Sequence, residues 1–150
     1  MIYFFFKDKQ DYNKLCVFLF TGMTIFLIVS TIYPNGQLLR PTRFAETNLF
    51  TKLVASLYKT DTATNLFPSI HVYNSLGTHF AIARSERLGS KKWIRFGSFL
   101  LSTSIILSTM FIKQHSMFDV LTACGMAAVM YLFVYRKRPE LEMFTQPAIR

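Results

Sequence analysis

Carboxylates are scarce in this sequence. Eight Asp and Glu stand against seventeen Lys and Arg, for a formal charge of +9. Such an imbalance suits either nucleic acid or a membrane surface, and the positions of the cations argue against nucleic acid. Lys7, Lys9 and Lys14, then Arg84, Arg87, Lys91, Lys92 and Arg95, then Arg136, Lys137 and Arg138 each flank an apolar stretch. Cysteine is nearly absent too. Cys16 and Cys124 lie far apart inside apolar segments, which excludes a disulfide framework and a redox pair and leaves two small apolar fillers. The three histidines lack metal-ligand spacing, so neither a metal nor another cofactor is expected. Ser30-Thr31-Ile32-Tyr33 offers no small-residue cleavage site, so the first apolar segment reads as retained and not as a signal peptide. No internal repeat or low-complexity tract occurs.

Charge is missing altogether from residues 15–33, 96–112 and 120–135, and the chain carries sixteen phenylalanines. A helix rising about 1.5 Å per residue needs roughly 20 such residues to cross a hydrocarbon core about 30 Å thick. Residues 70–83 form a fourth, shorter run that carries His71 and His79, ambiguous by itself between a span and a buried helix. The expectation is therefore an all-α, multi-pass transmembrane bundle of about four spanning helices, forming one domain over residues 1–150. The first helix covers about 15–33 and stops at the turn Pro34-Asn35-Gly36. A long polar connection, about 34–69, follows. In it Leu49, Phe50, Leu53, Val54 and Leu57 recur at helical spacing over 46–58, a short amphipathic helix at the membrane surface. The second helix runs from after Ser69 to near Arg84, the third over about 93–112, and the fourth from a turn at 113–116 to Tyr135. The polar tail, 136–150, contains two prolines and reads as loose. With the basic clusters held in the cytoplasm, the 34–69 connection and the 113–116 turn fall together on the outer face of the cell membrane. Arg40, His71, His115 and Asp119 then share one side.

His115 and Asp119 are four apart, one face of a helix. A carboxylate there can hold one imidazole nitrogen and leave the other as a nucleophile. Ser116-x-x-Asp119 is equally a capping box for the fourth helix, and both readings stay open. Pro68-Ser69-Ile70-His71 opens the second helix, where unpaired N–H groups suit phosphate oxygens. Ser69 is an N-cap and a candidate phosphate ligand. His71 suits a proton donor to a leaving group, or simply rests at the interface. His79, two turns deeper, reads as structural. The planar fork of Arg40 suits phosphate. Arg43 reads as an interfacial arginine among lipid headgroups.

The order Arg40-Pro41, Pro68-Ser69-Ile70-His71, then Ser108-Thr109 with His115 and Asp119, resembles the signature blocks of the type 2 phosphatidic acid phosphatase family. Those blocks read Lys-x6-Arg-Pro, Pro-Ser-Gly-His and Ser-Arg-x5-His-x3-Asp, and the resemblance covers about residues 33–134. It implies a membrane enzyme that hydrolyses a lipid phosphate, such as phosphatidic acid or a prenyl diphosphate, at the extracytoplasmic face without a cofactor. It implies that His115 attacks phosphorus to form a phosphohistidine and that Asp119 orients it. His71 would protonate the leaving oxygen and then activate water. Arg40, Ser69 and Ser108, with the N–H groups around Ile70, would hold the phosphoryl oxygens.

The departures from the pattern are specific. Tyr33 stands where the first block has lysine and Thr109 where the third has arginine, with Lys113 near enough in sequence to replace one cation. Isoleucine after Ser69 is similar to the Pro-Ser-Leu-His form of the inositol-phosphotransferase-like branch, which also lacks the arginine. A lipid phosphotransferase of the same fold is accordingly the alternative activity, and a non-catalytic remnant that binds lipid or packs with other subunits is the alternative of another class. The family has six spanning helices with the blocks on the last four. This chain is therefore expected either to lack two N-terminal helices or to have its exposed helix faces covered by a second copy or a partner subunit.

Overall fold

A computed structural model describes residues 1–36, 38–41, 44, 48–61, 64 and 67–135. They fold into α1 (Ile2–Lys7), α2 (Lys9–Ile32), α3 (Leu49–Thr60), α4 (Ile70–Arg84), α5 (Glu86–Gly89), α6 (Lys92–Phe111) and α7 (Met117–Tyr135). Among the described residues there is no strand, only an isolated bridge between Gly36 and Thr64. The basic cluster at 136–138, the polar tail and Arg43 lie outside the described residues.

Three helices, α2, α6 and α7, are long and apolar enough to cross a membrane. α2 begins earlier than its charge-free run, because the Asp8 carboxylate accepts from Asp11 N–H at 3.0 Å and starts the helix ahead of Lys9 and Lys14. Long lysine side chains at a helix end can reach the interface while their stems stay apolar. α3 replaces the expected 46–58 helix with a start at Leu49. Asn48 and Thr51 close a reciprocal capping box there, each backbone N–H bonding the other's side chain at 2.9 Å. α4 has 15 residues, about 22 Å of helix, which is short of the roughly 30 Å hydrocarbon thickness.

That shortest of the four main helices is nevertheless the centre of the bundle. α4 packs against α2, α6 and α7, whereas only 11% of the apolar window of α6 is buried. Side chains such as Trp93, Leu101 and Phe111 on α6 and Phe118, Leu121 and Phe133 on α7 are exposed, an apolar perimeter suited to lipid. Lipid tails are as apolar as leucine, so helices in a membrane associate through close packing and hydrogen bonds and not through water exclusion. The α2–α4 contact is built that way. Phe18 and Tyr73 stack with centroids 4.7 Å apart, and Tyr73 Oη donates to the Phe18 carbonyl at 2.9 Å. Each ring sits over a glycine of the other helix, Tyr73 over Gly22 and Phe18 over Gly77. A β-carbon on either glycine would overlap the ring. Gly22→Val is therefore expected to destabilise the bundle by about 1–3 kcal/mol. A thermal unfolding midpoint in detergent equal to that of the unaltered chain would show that this contact does not hold α2 to α4.

The bundle has two distinct ends. At one, α1 folds back so that Phe4 packs with Leu15 and Ala81, and Arg84 Nε donates to Tyr131 Oη at 2.6 Å. At the other, the segments flanking α3 meet the start of α4 and the turn before α7. Phe67 N–H donates to Asn35 Oδ1 at 3.0 Å, and the Phe67 and Phe118 rings stack at 5.4 Å. The described residues of the 34–69 connection and the 113–116 turn thus lie together.

Candidate functional site

The N-termini of α4 and α7 converge at this second end, where Ser69 N–H donates to the Asp119 carbonyl at 3.4 Å. Ser69 is completely buried and caps α4 by accepting from Val72 N–H at 3.4 Å. Ile70 and His71 are the first two residues of α4. Their N–H groups have no carbonyl one turn back, which makes them the donors of this helix end toward an anion.

His71 is exposed and His115 is buried, and their rings meet edge to face with centroids 5.7 Å apart. His115 lies in the turn ahead of α7, not on the helix itself, so helical spacing is not what pairs it with Asp119. The pairing comes from the turn. Gln114 and His115 N–H both point back to the Thr109 carbonyl, at 2.9 and 3.3 Å. Lys113 takes a left-handed φ of 55°, and the chain reverses tightly off the end of α6. His115 Nδ1 thereby comes 3.8 Å from Asp119 Oδ2. Asp119 also closes the capping box, its Oδ2 accepting from Ser116 N–H at 2.7 Å while its own N–H donates to Ser116 Oγ at 3.3 Å. The two sequence readings of Asp119 are compatible: one buried carboxylate starts α7 and stands beside the imidazole.

Arg40 reaches this end through an acid that the sequence reading missed. Its guanidinium lies over the Tyr58 ring, 4.8 Å from the centroid, and bonds the Asp61 carbonyl. Nη2 is 3.2 Å from Asp61 Oδ2. The same Oδ2 accepts from Gln114 Nε2 at 2.8 Å, one residue before His115. Tyr58 Oη donates to the Ile112 carbonyl at 2.6 Å. Two side chains at the end of α3, Tyr58 and Asp61, therefore fasten α3 and Arg40 to the turn that carries His115. Asp61 was legible only as one of eight acids in a basic chain, and nothing in its spacing ties it to Gln114.

The remaining phosphate-binding candidates are placed differently. Ser108 is exposed, and its hydroxyl donates to the Ile105 carbonyl of its own helix at 2.8 Å. Thr109, turned about 100° round the helix axis, is the buried residue and shares that inner face with Ser102, seven positions earlier. Lys113 stands exposed in the turn, and Ile70 is half-buried. Among the described residues no group of His, Cys, Asp or Glu side chains gathers as a metal site.

No protein-family model, curated protein or solved structure matches this chain. The case for its chemistry therefore rests on the geometry around His115.

Proposed function

We propose that this chain is a membrane phosphatase of the type 2 phosphatidic acid phosphatase kind, hydrolysing a lipid phosphate through a phosphohistidine on His115. The observation that carries the reading is the His71–His115 pair, 5.7 Å between ring centroids, with the Asp119 carboxylate beside His115 Nδ1. With Nδ1 turned to the carboxylate, Nε2 is the nucleophile. It attacks phosphorus as the bond from phosphorus to the lipid oxygen breaks, and protonated His71 gives its proton to that oxygen. Water then attacks the phosphohistidine, His71 takes the water's proton, and phosphate leaves as the nitrogen–phosphorus bond breaks. Ile70 and His71 N–H, at the positive end of α4, oppose the charge on the phosphoryl oxygens. Arg40 joins them by exchanging the Asp61 carboxylate for phosphate. In this reading α4 is a fourth crossing, completed by the residues flanking it. The basic end of the bundle is cytoplasmic and the histidine pair faces the extracytoplasmic side.

A second reading, transfer of the phosphoryl group to an alcohol, is favoured by one observation. His71, the group that would activate the acceptor, is exposed to solvent and so open to acceptors larger than water. The purified full chain in detergent is expected to release inorganic phosphate from phosphatidic acid or a prenyl diphosphate, in an amount equal to the dephosphorylated lipid. Thin-layer chromatography of the same reaction with added alcohols separates the readings, because a transferase makes a new phosphate ester while free phosphate stays low. Neither product from any lipid phosphate leaves the non-catalytic alternative.

A further inference from the structure

His79 lies two turns deeper on α4 than His71 and takes no part in the proposed phosphate chemistry. It floors a groove between α4 and α6 of about 410 Å³, lined besides by Lys92, Arg95, Phe96 and Phe99. The four α6 residues follow i, i+3, i+4, i+7 spacing and so form one stripe. Two cations sit in the first turn of α6, and the phenylalanines lie about 6 and 10 Å further along the axis from Lys92. His79 Nδ1 is fixed by Ser98 Oγ at 3.0 Å, and its ring meets Phe99 edge to face at 5.7 Å. Lys91, the N-cap of α6, supplies no side-chain cap to the first turn, so the positive end of the helix adds to the two cations. No carboxylate lines the groove among the described residues.

From this layering we infer a binding site for an anionic phospholipid, its phosphate held by Lys92 and Arg95 and its first acyl carbons lying over Phe96 and Phe99. Charge complementarity selects the headgroup. The aromatic floor selects a lipid over free phosphate, because an inorganic anion would leave those rings uncovered. From Arg95 to the end of α6 runs roughly 24 Å of helix, which separates this site from the histidine pair at the opposite end.

Trp93, the sole tryptophan, stands 87% exposed beside Lys92 and reports on the site directly. The full chain is reconstituted in phosphatidylcholine vesicles containing increasing fractions of phosphatidylglycerol with brominated acyl chains. A parallel series carries the bromines on phosphatidylcholine. Bromine quenches tryptophan fluorescence on contact, so half-quenching fractions give relative affinity. Two cations at an anionic headgroup predict about a thirtyfold preference for phosphatidylglycerol. Lys92→Gln with Arg95→Gln is expected to abolish that preference. Arg87→Gln with Lys91→Gln, the same charge change outside the groove, is expected to keep it. The inference is overturned if the second pair removes the preference equally, if no preference exists, or if millimolar inorganic phosphate cancels it. Phosphatidylglycerol is a phosphodiester and the readout involves no turnover, so this result stands apart from the outcome of any phosphatase assay.

Discussion

His115→Ala is expected to abolish phosphate release and phosphoenzyme formation together, with a rate loss on the order of 10⁶, the scale of removing a nucleophile that works as a unit with its base. The expectation follows from placement. His115 is buried, its Nδ1 lies 3.8 Å from the Asp119 carboxylate, and its ring meets that of His71 at 5.7 Å. A polar variant, His115→Asn, separates chemistry from folding, since it keeps a hydrogen-bonding group beside the Asp119 carboxylate. Both variants should retain the wild-type unfolding midpoint within a few degrees while losing activity. Rapid-quench labelling with a ³²P-phosphorylated lipid is the direct measurement. An acid-labile, alkali-stable label should appear on the unaltered chain and be absent from both variants. A residual activity of more than a few per cent in well-folded His115→Ala would remove His115 as nucleophile.

His71→Ala is expected to act differently, and the difference identifies its role. With a lipid alkoxide as leaving group, loss of the proton donor should lower turnover about 10²–10⁴-fold, the usual worth of general acid–base assistance. With p-nitrophenyl phosphate the leaving group needs no proton, so the first step should survive. The second step still needs a base for water. The variant should therefore give a burst of p-nitrophenol equal to the enzyme present, then stall with label on His115. His71 is exposed and only the second residue of α4, so its truncation leaves the core intact. Equal losses with both substrates and no burst would make His71 a binding residue and not an acid. Asp119 is a poorer probe, because its carboxylate also starts α7 through Ser116 N–H.

Much of the bundle is legible in the sequence, and the reason is local. Charge-free runs long enough to cross a membrane announce α2, α6 and α7, because a charge within lipid is costly wherever the neighbours are. The helix starts were legible where short-range caps set them, as at Ser69 and at Ser116 with Asp119. What could not be read was rank. α4, the shortest and most ambiguous run, is the helix that the others surround, because Gly77 and Tyr73 match Gly22 and Phe18 on a helix some fifty positions away. Surface complementarity of that kind has no trace in a hydropathy pattern.

The site divides in the same way. Sequence alone named His71, His115 and Asp119 as chemically suited, and charge patterning put their loops on one side. It offered Ser108, whose exposed position leaves Thr109 as the buried neighbour, and it put His115 in the 113–116 turn without the left-handed residue at Lys113 that sets the direction of that turn. Arg40's partners, Asp61 and through it Gln114, lie 21 and 74 positions away along the chain, joined only once α3 is laid across the bundle end. Composition, charge and short spacings act between near neighbours in sequence, so the chain itself determined an apolar helical protein with His71, His115 and Asp119 near helix ends. Which of those side chains touch depends on helices docking through close packing, and that only the tertiary structure decided.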